Sequence, residues 1–230
     1  MLPVSPPSAC GSIIMGANPG GADATAVAGG TLLIQFARAP VVGAVKTRMT
    51  PHLSPEQACA LHSELVLWTC RTLVDSGYGS VELAVTGATD HPLFQRCRGY
   101  GVTAVTRQWG EGLGERMFNA LAAGLARHDR VVLVGSDCPS IDRSYLAAAL
   151  AALERQTLVL GPAEDGGYVL VGARAIRPEM FEGIPWGTDR VYAETARRLR
   201  QLNRTWAALP PLADIDRPED LAIWRALQSA

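Results

Sequence analysis

The chain lacks the marks of several common functions. Its five cysteines, Cys10, Cys59, Cys70, Cys97 and Cys138, form no CxxC pair. An odd, scattered set builds neither a disulfide framework nor a zinc site, so a reducing cytoplasm is the expected location. Neither charge sign is in excess: the formal net charge is −1 over 230 residues. That balance gives no electrostatic reason to expect a nucleic-acid or membrane partner. No uncharged apolar run reaches the roughly 18 residues that a membrane span needs. The histidines, His52, His62, His91 and His128, are scattered and show no ligand spacing. No internal repeat is visible, and the GxxxxGK[ST] phosphate loop is absent.

Residues 1–30 lack Lys and Arg altogether and hold one charged residue, Asp23, among Pro, Gly, Ala and Ser. A secretory leader needs a basic start and a compact apolar core, and Ile13-Ile14-Met15 is too short for one. The segment reads as a disordered extension, or as a start codon placed too far upstream. The domain is then expected over residues 31–230. With 48% hydrophobic residues, it can bury a full core.

What is present from residue 31 onward is an alternation of strand and helix signals. Residues 31–36 are a continuous apolar run, as in a buried parallel strand. Ser54-Pro55-Glu56-Gln57 opens a helix to about residue 74, with Ser at the N-cap, Pro in the first turn and Gln completing a capping box. Strands are expected over 80–85, 102–105, 131–134, 157–160, 168–171 and 204–209. The most hydrophobic, Val131-Val132-Leu133-Val134, is placed at the sheet centre. Helices are expected over 91–98, 113–126 and 142–153. Thr188 is read as the cap of a helix to about 202. Asp216, Pro218 and Glu219 are read as capping a final helix to about 227. Such alternation predicts one three-layer α/β/α domain around a mostly parallel sheet.

In such sheets ligands bind beyond the carboxyl ends of the strands, and the loops there carry the chemistry. After the first strand, Gly43 allows close backbone approach, Lys46 supplies a point charge and Arg48 a planar fork for phosphate oxygens, with Thr47 between them. A solvated basic loop is the plain alternative. Arg116 opens a helix in Leu113-Gly114-Glu115-Arg116-Met117 and either faces the pocket or pairs with Glu115. Asp137 follows the central strand, where a carboxylate is costly unless paired or bound to a cation. Oxygen ligation there suits Mg²⁺ or Mn²⁺; capping of the next turn is the alternative. Cys138 beside it is read as a packing residue.

Asp214 and Asp216 share one side of an extended segment, and a divalent ion would relieve their repulsion. Asp165 precedes Gly166-Gly167-Tyr168, whose flexible backbone can aim N–H groups at an anion or simply turn. Trp186, in Pro185-Trp186-Gly187-Thr188, leads toward a helix start, as a ligand contact or an apolar anchor.

Taken together, FARAP-x-x-G-x-x-KTR, LGERM, GSDCP, GPAEDGGY, PWGT and DIDRPEDL, in this order over residues 31–227, resemble a bacterial family of the nucleotide-diphospho-sugar transferase superfamily. That family has the glycosyltransferase-A (GT-A) fold and is often labelled as a glycosyltransferase, in some settings of arsenosugar biosynthesis. It is more distantly similar to 2-phospho-L-lactate guanylyltransferase. The resemblance implies a nucleotide-phosphate loop of Gly43, Lys46 and Arg48, metal ligands Asp137 and Asp216 with Asp214 as a third, and an acceptor side of Asp165, Gly166, Gly167 and Tyr168. Arg217 stands where Thr is usual, and a single Asp137, not a DxD, follows the central strand. The expected activity is Mg²⁺-dependent transfer from a nucleotide donor to a small-molecule acceptor, glycosyl transfer first. Lys46 and Arg48 would stabilise the leaving phosphate, and Asp165 would activate the acceptor. Nucleotidyl transfer from a nucleoside triphosphate, with pyrophosphate release, is the alternative. A non-catalytic nucleotide-binding protein is a further one.

Overall fold

The computed structural model describes residues 29–229. The extension expected over residues 1–30, and Cys10 with it, lies outside them apart from the last two positions. Seven strands form a single sheet: β1 Thr31–Arg38, β2 Ser80–Thr86, β3 Ala104–Arg107, β4 Arg130–Val134, β5 Leu158–Pro162, β6 Tyr168–Ala173 and β7 Ala207–Ala208. Their order is β3-β2-β1-β4-β6-β5-β7, so β4 is the middle strand, as its hydrophobicity predicts. The helices are α1 Pro55–Ser76, α2 Pro92–Tyr100, α3 Leu113–Leu125, α4 Arg143–Arg155, α5 Val191–Gln201 and α6 Leu221–Gln228. None of the described helices is long and apolar enough to cross a membrane.

Pairings β1–β2, β1–β4, β2–β3 and β5–β7 are parallel, whereas β6 runs antiparallel to both β4 and β5. Alternate residues of each strand face opposite layers. Leu33, Leu83, Val132 and Val159 join the cluster under α1, α2 and α4. Leu32, Ile34, Val131, Leu133 and Leu160 join the one under α3 and α5. The domain is the predicted α/β/α sandwich, and its sheet is mostly parallel.

A third, smaller cluster positions the site. Met49, from the loop after β1, and Ile215, from the segment before α6, are both fully buried against Leu61 and Leu65 of α1 and Trp224 of α6. The rings of Trp68 and Trp224 meet edge to face at 5.2 Å.

Local signals hold where side chains cap helices. Ser54 accepts from Gln57 N at 3.2 Å while Gln57 Oε1 accepts from Ser54 N at 2.8 Å, completing the expected box. Asp142 accepts from Tyr145 N at 2.7 Å. Other expectations need correction. Thr188 is not the N-cap: its hydroxyl donates to Pro185 O at 2.8 Å and accepts from Arg190 N at 3.3 Å in the preceding turn, and α5 begins at Val191 after Arg190. At the last helix the reach-back belongs to Asp220, which accepts from Asp216 N and Arg217 N at 2.9 and 2.7 Å. Asp216 is thereby left free for the site. The strand expected over 204–209 contracts to Ala207–Ala208.

Leu121 is fully buried on α3, one turn beyond Met117, which lines the cleft described below. Leu121→Ala should cost about 2–5 kcal/mol through lost burial and a residual cavity. Urea denaturation measures it, and a loss under about 1 kcal/mol would contradict this packing.

Candidate functional site

The carboxyl ends of β1, β2 and β4 open on a cleft of about 620 Å³. Lys46, Thr47, Arg48, Arg116, Asp137, Tyr168 and Asp216 all line it, so seven of the expected residues meet there. Gly43, Asp165, Gly166, Gly167, Trp186 and Asp214 do not line it.

The basic loop is curled. Gly43 sits at φ 77° in a turn closed by Ala44 N donating to Val41 O at 2.9 Å. Lys46 is held at φ 50°, ψ 36°, and residues Thr47–Met49 make one 3₁₀ turn. A left-handed backbone at a non-glycine residue is uncommon and strained. Here it turns the lysine inward, with only 4% of its side chain exposed. Its ammonium lies 2.7 Å from Asp137 Oδ1 and 3.9 Å from Asp216 Oδ1, and it donates to Ile215 O. Arg48, with 60% of its side chain exposed, donates to Asp216 Oδ2. The two carboxylates expected to share a metal thus share a lysine.

Ile215 draws these segments together. Its N–H donates to Asp137 O at 2.7 Å, its carbonyl receives Lys46, and its side chain is buried beside Met49. Further in, Gln35 on β1 is fully buried and donates to Val66 O and to Ser136 Oγ, both at 2.9 Å. Ser136 in turn donates to Phe36 O at 2.7 Å, locking the loop after β4 onto β1.

Burial, and then the nearby Asp165, Asp216 and Asp137, push the Asp214 carboxyl up to about 6. Among the described residues no three His, Cys, Asp or Glu side chains converge as a metal cluster. The expected set Asp137, Asp214 and Asp216 is therefore not assembled as three ligands; Asp137 and Asp216 face one ammonium, and Asp214 stands outside the cleft lining. Burial holds the Cys138 thiol up at about 12, in keeping with a packing role.

The glycine turn is structural where anion binding was expected. Gly166 N donates to Ala163 O at 3.1 Å and Gly167 N to Asp165 Oδ1 at 2.8 Å, so neither N–H is free. Gly166, at φ 90°, lets Asp189 O come within 1.9 Å of where a Cβ would stand. Gly114 likewise makes room for the Trp186 indole, whose Nε1 would lie 2.5 Å from an added Cβ. Trp186 meets the Tyr168 ring edge to face at 5.9 Å. The Tyr168 hydroxyl is enclosed near Thr195, and its pKa is raised by burial, so only the rest of the side chain faces the cleft.

Arg116 lines the cleft and donates through Nε to Gly110 O at 3.1 Å; Glu115 instead accepts from Glu111 N at 2.8 Å. Of the two alternatives for Arg116, it faces the cleft and is not paired with Glu115. Residues given no role from sequence are also here: Arg38, Gln108, Ser136 and His62. Their signal was position, as polar residues at strand ends or, for His62, on the inner face of α1. Arg38 and Arg116 continue into an adjoining hollow of about 550 Å³, with Arg107, Gln108 and Trp109, the last 62% exposed.

A family model described as an uncharacterized protein conserved in bacteria (DUF2064) matches residues 69–188. Among curated proteins, no sequence matches the chain at a significant level. A solved structure of a candidate nucleotide-diphospho-sugar transferase from Desulfovibrio desulfuricans is similar at 29% identity and a TM-score of 0.77, over 87% of this chain and 88% of that one. A 4-diphosphocytidyl-2C-methyl-D-erythritol synthase from Anaerococcus prevotii shares 11% identity with a TM-score of 0.57, over 87% and 100% of the chains. A cytidylyltransferase from Leptospira borgpetersenii shares 15% with a TM-score of 0.56, over 87% and 86%. The last two establish common fold alone, which is the GT-A-like fold expected.

The raised Asp214 pKa has a signed consequence for stability. An acid whose pKa is higher folded than unfolded costs stability once it is ionised, and costs nothing below its unfolded value. In metal-free buffer, Asp214→Asn should therefore raise the melting temperature at pH 7.5. The gain should shrink as pH falls through about 6 and vanish below the ordinary value of 3.8. Melting curves across that range check it; an equal gain at pH 3.5 and 7.5 contradicts the assignment.

Proposed function

The chain belongs to the DUF2064 family, and on that premise we propose that it is a transferase acting on a nucleotide donor, with glycosyl transfer from a nucleotide sugar as the first reading. One observation carries it: Lys46, Arg48 and Arg116 meet in a single cleft at the carboxyl ends of the sheet, the first two paired with Asp137 and Asp216. Guanidinium and ammonium groups gathered in a concave, partly dry site match a di- or triphosphate. The adjoining hollow, with Trp109 exposed and Gln108 at the junction, has room and surface for a heterocycle.

Transfer leaves negative charge on the departing phosphate. Arg48 can offer two parallel N–H bonds to it and Lys46 a compact charge, each in exchange for the carboxylate that holds it in the free protein. Arg116, anchored by its bond to Gly110 O, adds charge from the first turn of α3. Asp165, at the rim beside Asp214 and with Oδ1 held by Gly167 N, would take the proton of an acceptor hydroxyl that reaches beyond the cleft lining. Trp186 and Tyr168 form the neighbouring apolar wall on the acceptor side.

The residues fit a divalent cation. Asp137 Oδ1 is enclosed and has only the Lys46 ammonium for a partner, and the nearby carboxylates add to burial in lifting the Asp214 pKa. Two carboxylates with the rest supplied by phosphate and water is a usual Mg²⁺ arrangement, needing no preformed cage. Asp137 and Asp216 would hold Mg²⁺ or Mn²⁺, which supplies Lewis-acid stabilisation of phosphoryl oxygens.

Nucleotidyl transfer is the second reading, favoured by the basic loop directly after β1 and the lone Asp137 after β4. Partners are then a nucleotide or nucleotide sugar and a small acceptor. Described cysteines Cys59, Cys70, Cys97 and Cys138 are free thiols, which suits a reducing cytoplasm.

Incubation with nucleotide sugars and nucleoside triphosphates in Mg²⁺ separates the readings: nucleoside diphosphate release marks glycosyl transfer, and pyrophosphate marks nucleotidyl transfer. Binding without either product would make the protein a nucleotide-binding module. Arg48→Lys should weaken nucleotide binding by about 1–3 kcal/mol, since Lys cannot form the bidentate bond. Binding of the corresponding nucleoside should be unchanged. Calorimetry showing equal nucleotide affinity would remove Arg48 from the phosphate site.

A further inference from the structure

We propose that Lys46 and Arg48 are the resident counter-cations of Asp137 and Asp216, so that a divalent cation and a phosphate anion enter this cleft together by ion exchange. The inference rests on the reading of the site as one for metal and phosphate. Its basis is geometric. An ammonium 2.7 Å from Asp137 and 3.9 Å from Asp216 stands where a cation shared by those carboxylates must stand. Arg48 covers the remaining oxygen of Asp216. A divalent ion taking that position displaces Lys46 and competes with Arg48 for Asp216.

Charge balance decides the order of events. In the free protein, two carboxylates face one lysine and one arginine, and the sum is zero. Metal alone, with the two side chains released, leaves an excess of two positive charges. A phosphate dianion alone, drawing the same side chains away, leaves two uncompensated negative charges on the aspartates. Only when both ligands are present does the sum return to zero. In a partly buried cleft such imbalance is penalised far more than in water. Each ligand therefore strengthens the other, and by linkage the factor is the same in both directions.

The loop is built for the swap. Lys46 reaches the aspartates on a four-carbon stem from a strained left-handed backbone, and Arg48 is already 60% exposed. Met49, fully buried beside Ile215, keeps the loop anchored while the side chains change partners.

Mn²⁺ binding to the full chain, followed by the resonance signal of the free ion, tests this. Lys46→Met should bind Mn²⁺ more tightly than the parent by about tenfold, within the usual range for coupled sites. Arg48→Ala, whose exposed side chain makes it the safer variant for folding, should show a smaller gain. Inorganic sulfate, a dianion, should tighten Mn²⁺ binding to the parent and do so less for Lys46→Met. Should Lys46→Met fail to fold, Arg48→Ala alone carries the test. Variants that bind Mn²⁺ no more tightly than the parent overturn the ion exchange while leaving the metal site standing. No Mn²⁺ binding by any form overturns the metal site and the exchange together.

Discussion

The site depends on one buried ammonium. An unpaired charge taken out of water costs several kcal/mol, so Lys46, with its side chain 4% exposed, is held in the free protein by Asp137, Asp216 and Ile215 O. That requirement joins three distant parts of the chain: the loop after β1, the loop after β4 and the segment before α6. Ile215 makes the joint rigid by using every group it has. Its N–H goes to Asp137, its carbonyl to Lys46 and its side chain to Met49 and α1. An apolar residue thus brings Asp216, its neighbour in sequence, beside Asp137 of a distant loop without touching a ligand itself.

A second constraint is steric and shapes the other wall. Gly166 and Gly114 are each needed because another segment passes where a Cβ would be: the Asp189 carbonyl at one, the Trp186 indole at the other. Both contacts reach into residues 186–189. The turn after β5, the first turn of α3 and the approach to α5 are therefore one packed unit. The Gly-Gly pair serves this packing, and its N–H groups are spent within the turn.

Much of the fold was legible because its signals are local or strongly periodic. The capping box of Ser54 and Gln57 depends on four neighbouring residues and appears as written. The run Val131–Val134 was placed at the sheet centre because only a strand buried on both faces tolerates it. Strand direction was less legible. Nothing in Tyr168–Ala173 says that it runs antiparallel, since an apolar run buries equally well either way. The short loop before it was the available clue: parallel neighbours need a crossover of a dozen or more residues, and residues 163–167 are too few.

The candidate site was legible as a set of residues but not as a set of partnerships. Lys46, Arg48, Asp137 and Asp216 were each chosen for what they offer a ligand, cation to phosphate and carboxylate to metal. In the free protein such groups face one another first, because unmatched charges near a dry cleft satisfy themselves with whatever is closest. Opposite charges from separate loops, predicted to meet at one strand end, therefore predict an internal ion pair as surely as a ligand. The cations this rule leaves over are informative. Arg38 and Arg116 reach only backbone oxygens, Ala44 O and Gly110 O, and no carboxylate among the described residues neutralises them. Their positive charge remains at the junction of the cleft and its adjoining hollow, facing any anion that approaches before Lys46 and Arg48 are released.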